Sequence, residues 1–297
     1  MIASARRRLP ALEAHLIVLW ILLFSCVSVS TASARTWYIR VDGGGNAPTI
    51  QAGIDSAVSG DVVLVGPGTY AITTPIEMKS GIVLQSEQGP SSTMIKKDSS
   101  EWSVYCGIQM RNVANSEVHG FWIKPFYGMG GSCLEIWDSN TIIVADNILE
   151  SSTWSLYLYY SDYVYVHNNL IMGEGGSAAG VGVTVWPDPV GAERIEIRHN
   201  IIVNRVDCNG DPYISTVCND ILGNPGCINM AHNFALDPQF CGVSGAMNYY
   251  LQSDSPCAPG NDPVDGYCGP IGPLPVGCGT VDVEKKSWGE IKTLYQE

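Results

Sequence analysis

Two columns of side chains could do chemistry in this sequence. The segments 108–111, 134–137, 156–159 and 183–186 each alternate an aliphatic residue with a larger or polar one. Stacked as strands in register, they send Gln109, Glu135, Tyr157 and Thr184 into one outer column and Arg111, Trp137, Tyr159 and Trp186 into its neighbour. The second column is a ladder of aromatic rings ending at an arginine. Flat rings beside hydrogen-bonding groups suit the apolar CH faces and hydroxyls of sugars, and exposed aromatics with a polar rim mark binding surfaces. The candidate glycan-binding residues are therefore Trp137, Tyr159, Trp186, Arg111, Glu135 and Tyr157. The same rings also stabilise a sheet by stacking alone, by about 0.2–1 kcal/mol per pair, so spacing does not separate recognition from support.

Other groups offer different chemistry. Carboxylates stand at Glu135, Asp138, Asp146, Asp162 and Asp188, and arginines at Arg111, Arg194 and Arg198. Without clustering they are solvated turn residues, so no metal ligand is assigned. The outward pair His167 and Arg198 is read as surface. Of the ten cysteines, seven lie after residue 207 in a stretch rich in Gly, Pro, Asn and Asp. No close Cys-x-x-Cys pair supports zinc, and the ten-residue steps 208 to 218 and 268 to 278 suit disulfide loops better. Connectivity cannot be read, and the odd number left after Cys26 leaves at least one thiol free or paired with another chain.

The elements that must position these groups are repeats. Segments 141–149, 163–171 and 194–202 align without gaps, each alternating apolar and polar residues up to an Asn followed by two aliphatics. A weaker copy spans 115–123. The shared residues are Asn147, Asn169 and Asn200, at steps of 22 and 31 residues, the longer step carrying insertions at 173–180 and 187–192. A turn of two or three short strands cannot bury its apolar side alone, whereas turns stacked in register do. An Asn at the same bend of every turn can hydrogen-bond its equivalents above and below.

The stack needs closed ends. Apolar residues at 50, 54, 57 and 58 have helical spacing with Thr49 as N-cap, and a strand at 62–65 follows. This predicts a short helix over the open end of the first turn. Ahead of it, Arg6–Arg8, an apolar run from 16 to 29 and Ala32-Ser33-Ala34 have the pattern of a secretory signal, too short to span a bilayer. The alternatives to secretion are a periplasmic location or a lipid anchor at Cys26. Losing residues 1–34 removes three arginines and Glu13, taking the net charge from −13 to −15.

The stretch from Thr49-Ile-Gln-Ala-Gly-Ile-Asp to Val65-Gly-Pro-Gly-Thr-Tyr70 resembles the opening of exported right-handed parallel β-helix proteins of the pectate-lyase-like superfamily. The Asn-Asn and His-Asn bends are similar to the repeats of that group, and the resemblance covers residues 36–240. Residues 237–278 look like the closing segment of its exported members. The resemblance implies an all-β right-handed parallel β-helix with an N-terminal capping helix and a disulfide-rich C-terminal cap. It implies no single reaction, because the superfamily includes lyases, hydrolases, esterases and non-enzymatic surface proteins. The Asp-Asp, Gly-His-Gly and Arg-x-Lys motifs of polygalacturonases are absent. Pectin methylesterases share the Gly68-x-Tyr70 turn but carry a Glu where this chain has Ile72. For a lyase the resemblance implies clustered carboxylates holding calcium and an arginine as base. The five carboxylates above are the candidates, with Arg111, Arg194 or Arg198 as the base, and calcium enters only under this reading.

The expected organisation is a signal segment at 1–34, the β-helix and its N-terminal cap at 35–240, a Cys/Gly/Pro-rich closing segment at 241–280, and a linker and tail at 281–297. Only 15% of residues are charged, against roughly a quarter in ordinary domains. Coils stacked in register explain this, since like charges directly opposite repel. The acidic balance excludes nucleic acid as a partner, and Gly and Pro are too frequent for a coiled coil. The expected function is that of a secreted or cell-surface protein binding a polysaccharide or glycan through its aromatic face. A polysaccharide lyase and a structural or adhesive surface protein are the alternatives. The oligomeric state is not legible.

Overall fold

Alternating aliphatic residues in strands too short to stand alone produce a stack of coils. The computed structural model describes residues 33–100, 104–124, 131–151, 153–173, 180–186, 194–208, 214–242, 249–264 and 268–278. The signal segment up to residue 32, the insertions at 174–179 and 187–193, Asp188 and the tail from 279 onward lie outside them. All the strand ladders are parallel and form three faces. The first comprises β1 (Thr36–Ile39), β2 (Val62–Val65), β5 (Val83–Ser86), β8 (Ala114–His119), β11 (Asn140–Ala145), β14 (Asp162–His167), β17 (Ile195–Arg198) and β19 (Ile214–Val217). The second holds β3 (Gly68–Ile72), β6 (Thr93–Lys97), β9 (Trp122–Lys124), β12 (Ile148–Ser151), β15 (Leu170–Gly173), β18 (Ile201–Cys208) and β20 (Asp220–Asn224). The third holds β4 (Ile76–Glu77), β7 (Cys106–Arg111), β10 (Ser132–Trp137), β13 (Trp154–Tyr159) and β16 (Val181–Trp186). The end of β18 crosses into the third face, pairing Val206 with Val183 and Cys208 with Val185.

Each coil visits the third, first and second faces in turn, and the next coil repeats the order one strand spacing along. This is a right-handed parallel β-helix, the hand that parallel crossovers almost always take. The inward residues form continuous columns: Ile108, Leu134, Leu156 and Val183 are all fully buried, as are Met110, Ile136 and Val185.

The bend between the first and second faces is held by the repeated asparagine. Gly120, Asp146, Asn168, His199 and Cys218 adopt positive φ there, between 55° and 76°. The residue that follows each points inward. Asn169 Oδ1 accepts from the Asn147 N–H at 2.9 Å and from Asn147 Nδ2 at 3.1 Å, while Asn169 Nδ2 donates to the His167 carbonyl at 2.9 Å. The pattern recurs at Asn200 and extends beyond the aligned repeats to Asn219 and Asn233. A serine counterpart at the other bend links the Val113 N–H to Ser139 Oγ and the Ser139 N–H to Ser161 Oγ, both at 3.1 Å.

The ends are closed as the sequence implies. Helix α1 (Ile50–Ser56) lies over the first coil, its N-terminus capped by Thr49 Oγ1, which accepts from the Ala52 N–H at 3.1 Å. Ile50, Gly53 and Ile54 are buried beneath it. At the far end three disulfides, Cys208–Cys227, Cys218–Cys268 and Cys241–Cys278, staple the segment after β20. The ten-residue neighbours do not pair with each other. Cys106 and Cys257 are free thiols and buried, and Cys133 lies buried in the core. None of the described helices is long and apolar enough to cross a membrane.

Candidate functional site

The third face carries the candidate residues, in the register read from the sequence. Gln109, Glu135, Tyr157 and Thr184 are direct ladder partners, and so are Arg111, Trp137, Tyr159 and Trp186. The face also extends further than the aligned segments: Glu77 joins the first column above Gln109 and Asp207 joins it beyond Thr184.

Strict alternation lapses at the start of these strands, which recruits residues the period-two reading passed over. Cys133 and Leu134 both belong to the core. Ser132 therefore turns to the same side as Glu135, and its hydroxyl donates to Glu135 Oε1 at 2.6 Å. Trp154, the ladder partner of Ser132, joins the outer face in the same way and lies 5.5 Å from the Tyr157 ring. Tyr160, at the following bend with φ 47°, folds back to 3.9 Å from Tyr159. The signal was available as two core-type residues in a row.

The first column points away from the core yet has little contact with water. Gln109, Glu135 and Thr184 are only 5%, 6% and 5% exposed. Tyr157 in that column contacts both Trp137 and Trp154 at 5.5 Å, so rings rather than water surround it. The Glu135 carboxylate is held by Ser132 and by Gln109 Nε2 at 2.9 Å. Burial, reinforced by the Glu135 charge, raises the Tyr157 phenol above its usual range and pushes the Cys106 thiol far up. Beside this column a cavity of about 120 Å³ is lined by Glu77, Met78, Gln109 and Arg111.

The aromatic column is a stack, not a row of free platforms. Trp137 and Tyr159 lie 4.5 Å apart at 37°, and Tyr159 and Trp186 lie 6.5 Å apart at 47°. The Arg111 guanidinium sits 5.3 Å from the Trp137 ring centre. A hydrogen bond with Tyr160 pushes the Tyr159 phenol up to about 12. Trp137 Nε1 is buried with no hydrogen-bond partner among the described residues, and so is Thr184 Oγ1. Trp186, 42% exposed, and Tyr160, 36% exposed, are the most open rings of the group.

The lyase candidates are dispersed. Asp138 occupies the bend after β10 and Asp146 the asparagine bend. Asp162 begins β14, where its Oδ1 accepts the Tyr163 and Arg194 N–H groups, both at 2.8 Å. Among the described residues no carboxylate forms an ion pair with Arg111, and no three His, Cys, Asp or Glu side chains converge. His167 and Arg198 are ladder partners on the first face, Arg198 pairing with Glu196 at 2.9 Å.

No protein-family model matches the sequence, and no curated protein matches it. Two solved structures of a pectin methylesterase from Aspergillus niger align with it, one penultimately deglycosylated and one deglycosylated. Each shares 12% identity over 75% of this chain and 95% of theirs, with TM-scores of 0.32 and 0.30. At that level the likeness bears on no residue of the site, and the parallel β-helix stands on the strand topology itself.

Proposed function

We propose that this is an exported protein that binds a polysaccharide or glycan through the third face of its β-helix. One observation carries the reading: a column of aromatic rings runs unbroken over three coils and ends in the exposed face of Trp186. The inner rings support one another, and Trp186, Tyr160 and the exposed Arg111 are the groups placed to meet a ligand. A sugar supplies an apolar face for Trp186 and hydroxyls for Arg111. The net charge of −15 on the chain without residues 1–34 favours a neutral or basic glycan over a polyuronate. Export is supported by the three disulfides, which persist in oxidising compartments.

The test is a glycan panel covering neutral, acidic and amino sugars, read by binding and by absorbance of unsaturated products, with and without calcium. Trp186→Ala should weaken binding about tenfold while leaving the fold intact, the loss expected when an exposed aromatic anchor is removed. If Trp186→Ala and Arg111→Ala both leave every interaction unchanged, the face is not the binding site. Calcium-dependent product formation that Arg111→Ala abolishes would replace this reading with the lyase.

A further inference from the structure

Each face of the β-helix begins with a strand that has no earlier coil to pair with. Such an edge offers unpaired backbone N–H and C=O groups on alternate residues. On the first face β1 turns Tyr38 outward, and Asn46 takes both of its groups. The Tyr38 N–H donates to Asn46 Oδ1 at 2.8 Å, and the Asn46 N–H donates to the Tyr38 carbonyl at 2.6 Å. On the third face β4 turns Glu77 outward, and the Gln51 side chain on α1 takes both. The Glu77 N–H donates to Gln51 Oε1 at 2.8 Å, and Gln51 Nε2 donates to the Glu77 carbonyl at 3.2 Å. Two of the three edges are thus closed by an asparagine and a glutamine standing in for a strand.

The second face is different. Strand β3 bonds toward β6 at its two ends: the Gly68 N–H donates to the Ser92 carbonyl and the Asp98 N–H to the Ile72 carbonyl, both at 2.9 Å. The alternation then turns the N–H and C=O of Thr69 and Ala71 to the opposite side. There β3 is the last strand of its sheet, and among the described residues no side chain bonds to either backbone. A cavity of about 280 Å³ lies along this edge, lined by Thr69 and Ala71 with Arg40, Val41, Pro48 and Ile50.

We propose that this groove docks an extended, uncharged polypeptide segment of a partner protein, which joins the second face as an additional strand on β3. The occupant follows from the groups presented. Two N–H and two C=O groups alternating along one line are matched by a peptide backbone, and hydroxyls or phosphates do not reproduce that order. The Arg40 charge is already met by Glu87 at 3.0 Å, so the groove presents no unbalanced charge. Apart from Tyr70 and Gln51, whose amide is engaged by Glu77, its remaining walls are Thr, Ala, Val, Pro and Ile, which suit small and β-branched side chains.

The probe is a dye-labelled peptide, Ac-Thr-Val-Thr-Val-Thr-NH2, with its Ala- and Ile-containing variants, titrated against the full chain lacking residues 1–34. Binding should slow amide exchange at Thr69 and Ala71. Ala71→Pro removes one outward N–H at an edge position that can hold proline, and it should weaken binding about tenfold. N-methylating the peptide amides should do the same without altering the protein. The proposal fails if no probe binds, or if neither change alters affinity. It also fails if the free chain already protects Thr69 and Ala71, either as a dimer or through its own tail, because the edge is then filled from within.

Discussion

Asp220 opens β20 fully buried, with few donors to hold a charge. Its Oδ1 accepts the Leu236 N–H at 3.0 Å and its Oδ2 the Cys257 thiol at 3.3 Å. Burial is the larger influence and, helped by the nearby Asp237, raises its pKa to about 6. The unfolded chain loses this proton near pH 4, whereas the native chain keeps it to about 6. The native state thus binds the extra proton between those values, so this group's contribution falls as pH rises through the window and is unfavourable above it. The cost above pH 6 is up to about 3 kcal/mol. Asp220→Asn keeps an acceptor for Leu236 without the charge. It should raise the urea midpoint at pH 7.5 and change it little at pH 4.5. An equal shift at both values would show that the carboxylate's charge is not what matters. Nothing in the spacing of Asp220 distinguishes it from a surface aspartate. Its burial comes from chain 37 residues away at Cys257, beyond the reach of a local pattern.

The asparagine bend is where sequence and structure agree most closely, because a single rung is a local motif and its stacking needs only the coil period. Asn147, Asn169 and Asn200 were legible from alignment. Asn219 and Asn233 were not, because the coils leading to them are short and, among the described residues, β20 is followed by no further strand in its sheet. The outer columns were legible for the same reason, while Ser132 and Trp154 were hidden by the lapse in alternation. The ladder's energetics depend on position along it. Asn169 Oδ1 serves two donors, and its Nδ2 lies within bonding distance of the Val144 and His167 carbonyls and of Asn200 Oδ1. Asn169→Ala strands these buried groups in mid-stack, at about 3–5 kcal/mol. Asn233 is the end rung: its Oδ1 also accepts from the Asn219 N–H and Nδ2, but its Nδ2 donates to Thr216 Oγ1 and the Asn229 carbonyl, at a half-buried and an exposed residue where water can replace it. Asn233→Ala should cost less, about 1–2 kcal/mol. Denaturant titration of the two variants checks the order, and equal losses would refute an additive ladder.

The whole molecule divides by what supports each end. From β2 to β16 successive coils bury aliphatic columns against each other, and such stacks hold together through nearest-neighbour contacts. Beyond β20 the chain has little regular structure, and covalent and long-range ties replace the ladders. Cys218–Cys268 joins the asparagine bend to residues 50 positions on; nearby, Asn168 Nδ2 donates to the Pro270 carbonyl at 3.0 Å and the Gly272 N–H to the His199 carbonyl at 2.8 Å. Each bridge contributes about 2–4 kcal/mol, and all three lie in this part of the chain. Reduction in native buffer should therefore speed amide exchange across residues 214–278 and leave β5, β8 and β11 protected. Thiol labelling gives an independent reading of the same event. Cys106 is fully buried and its thiol is raised far above the usual range by burial and the Glu135 charge. Cys133 is fully buried in the same core. After reduction, iodoacetamide should modify the six bridging cysteines and spare Cys106 and Cys133 until denaturant is added. Modification of Cys106 at the same rate as the bridging cysteines would mean that the closing segment holds the whole stack together and not its last coils alone.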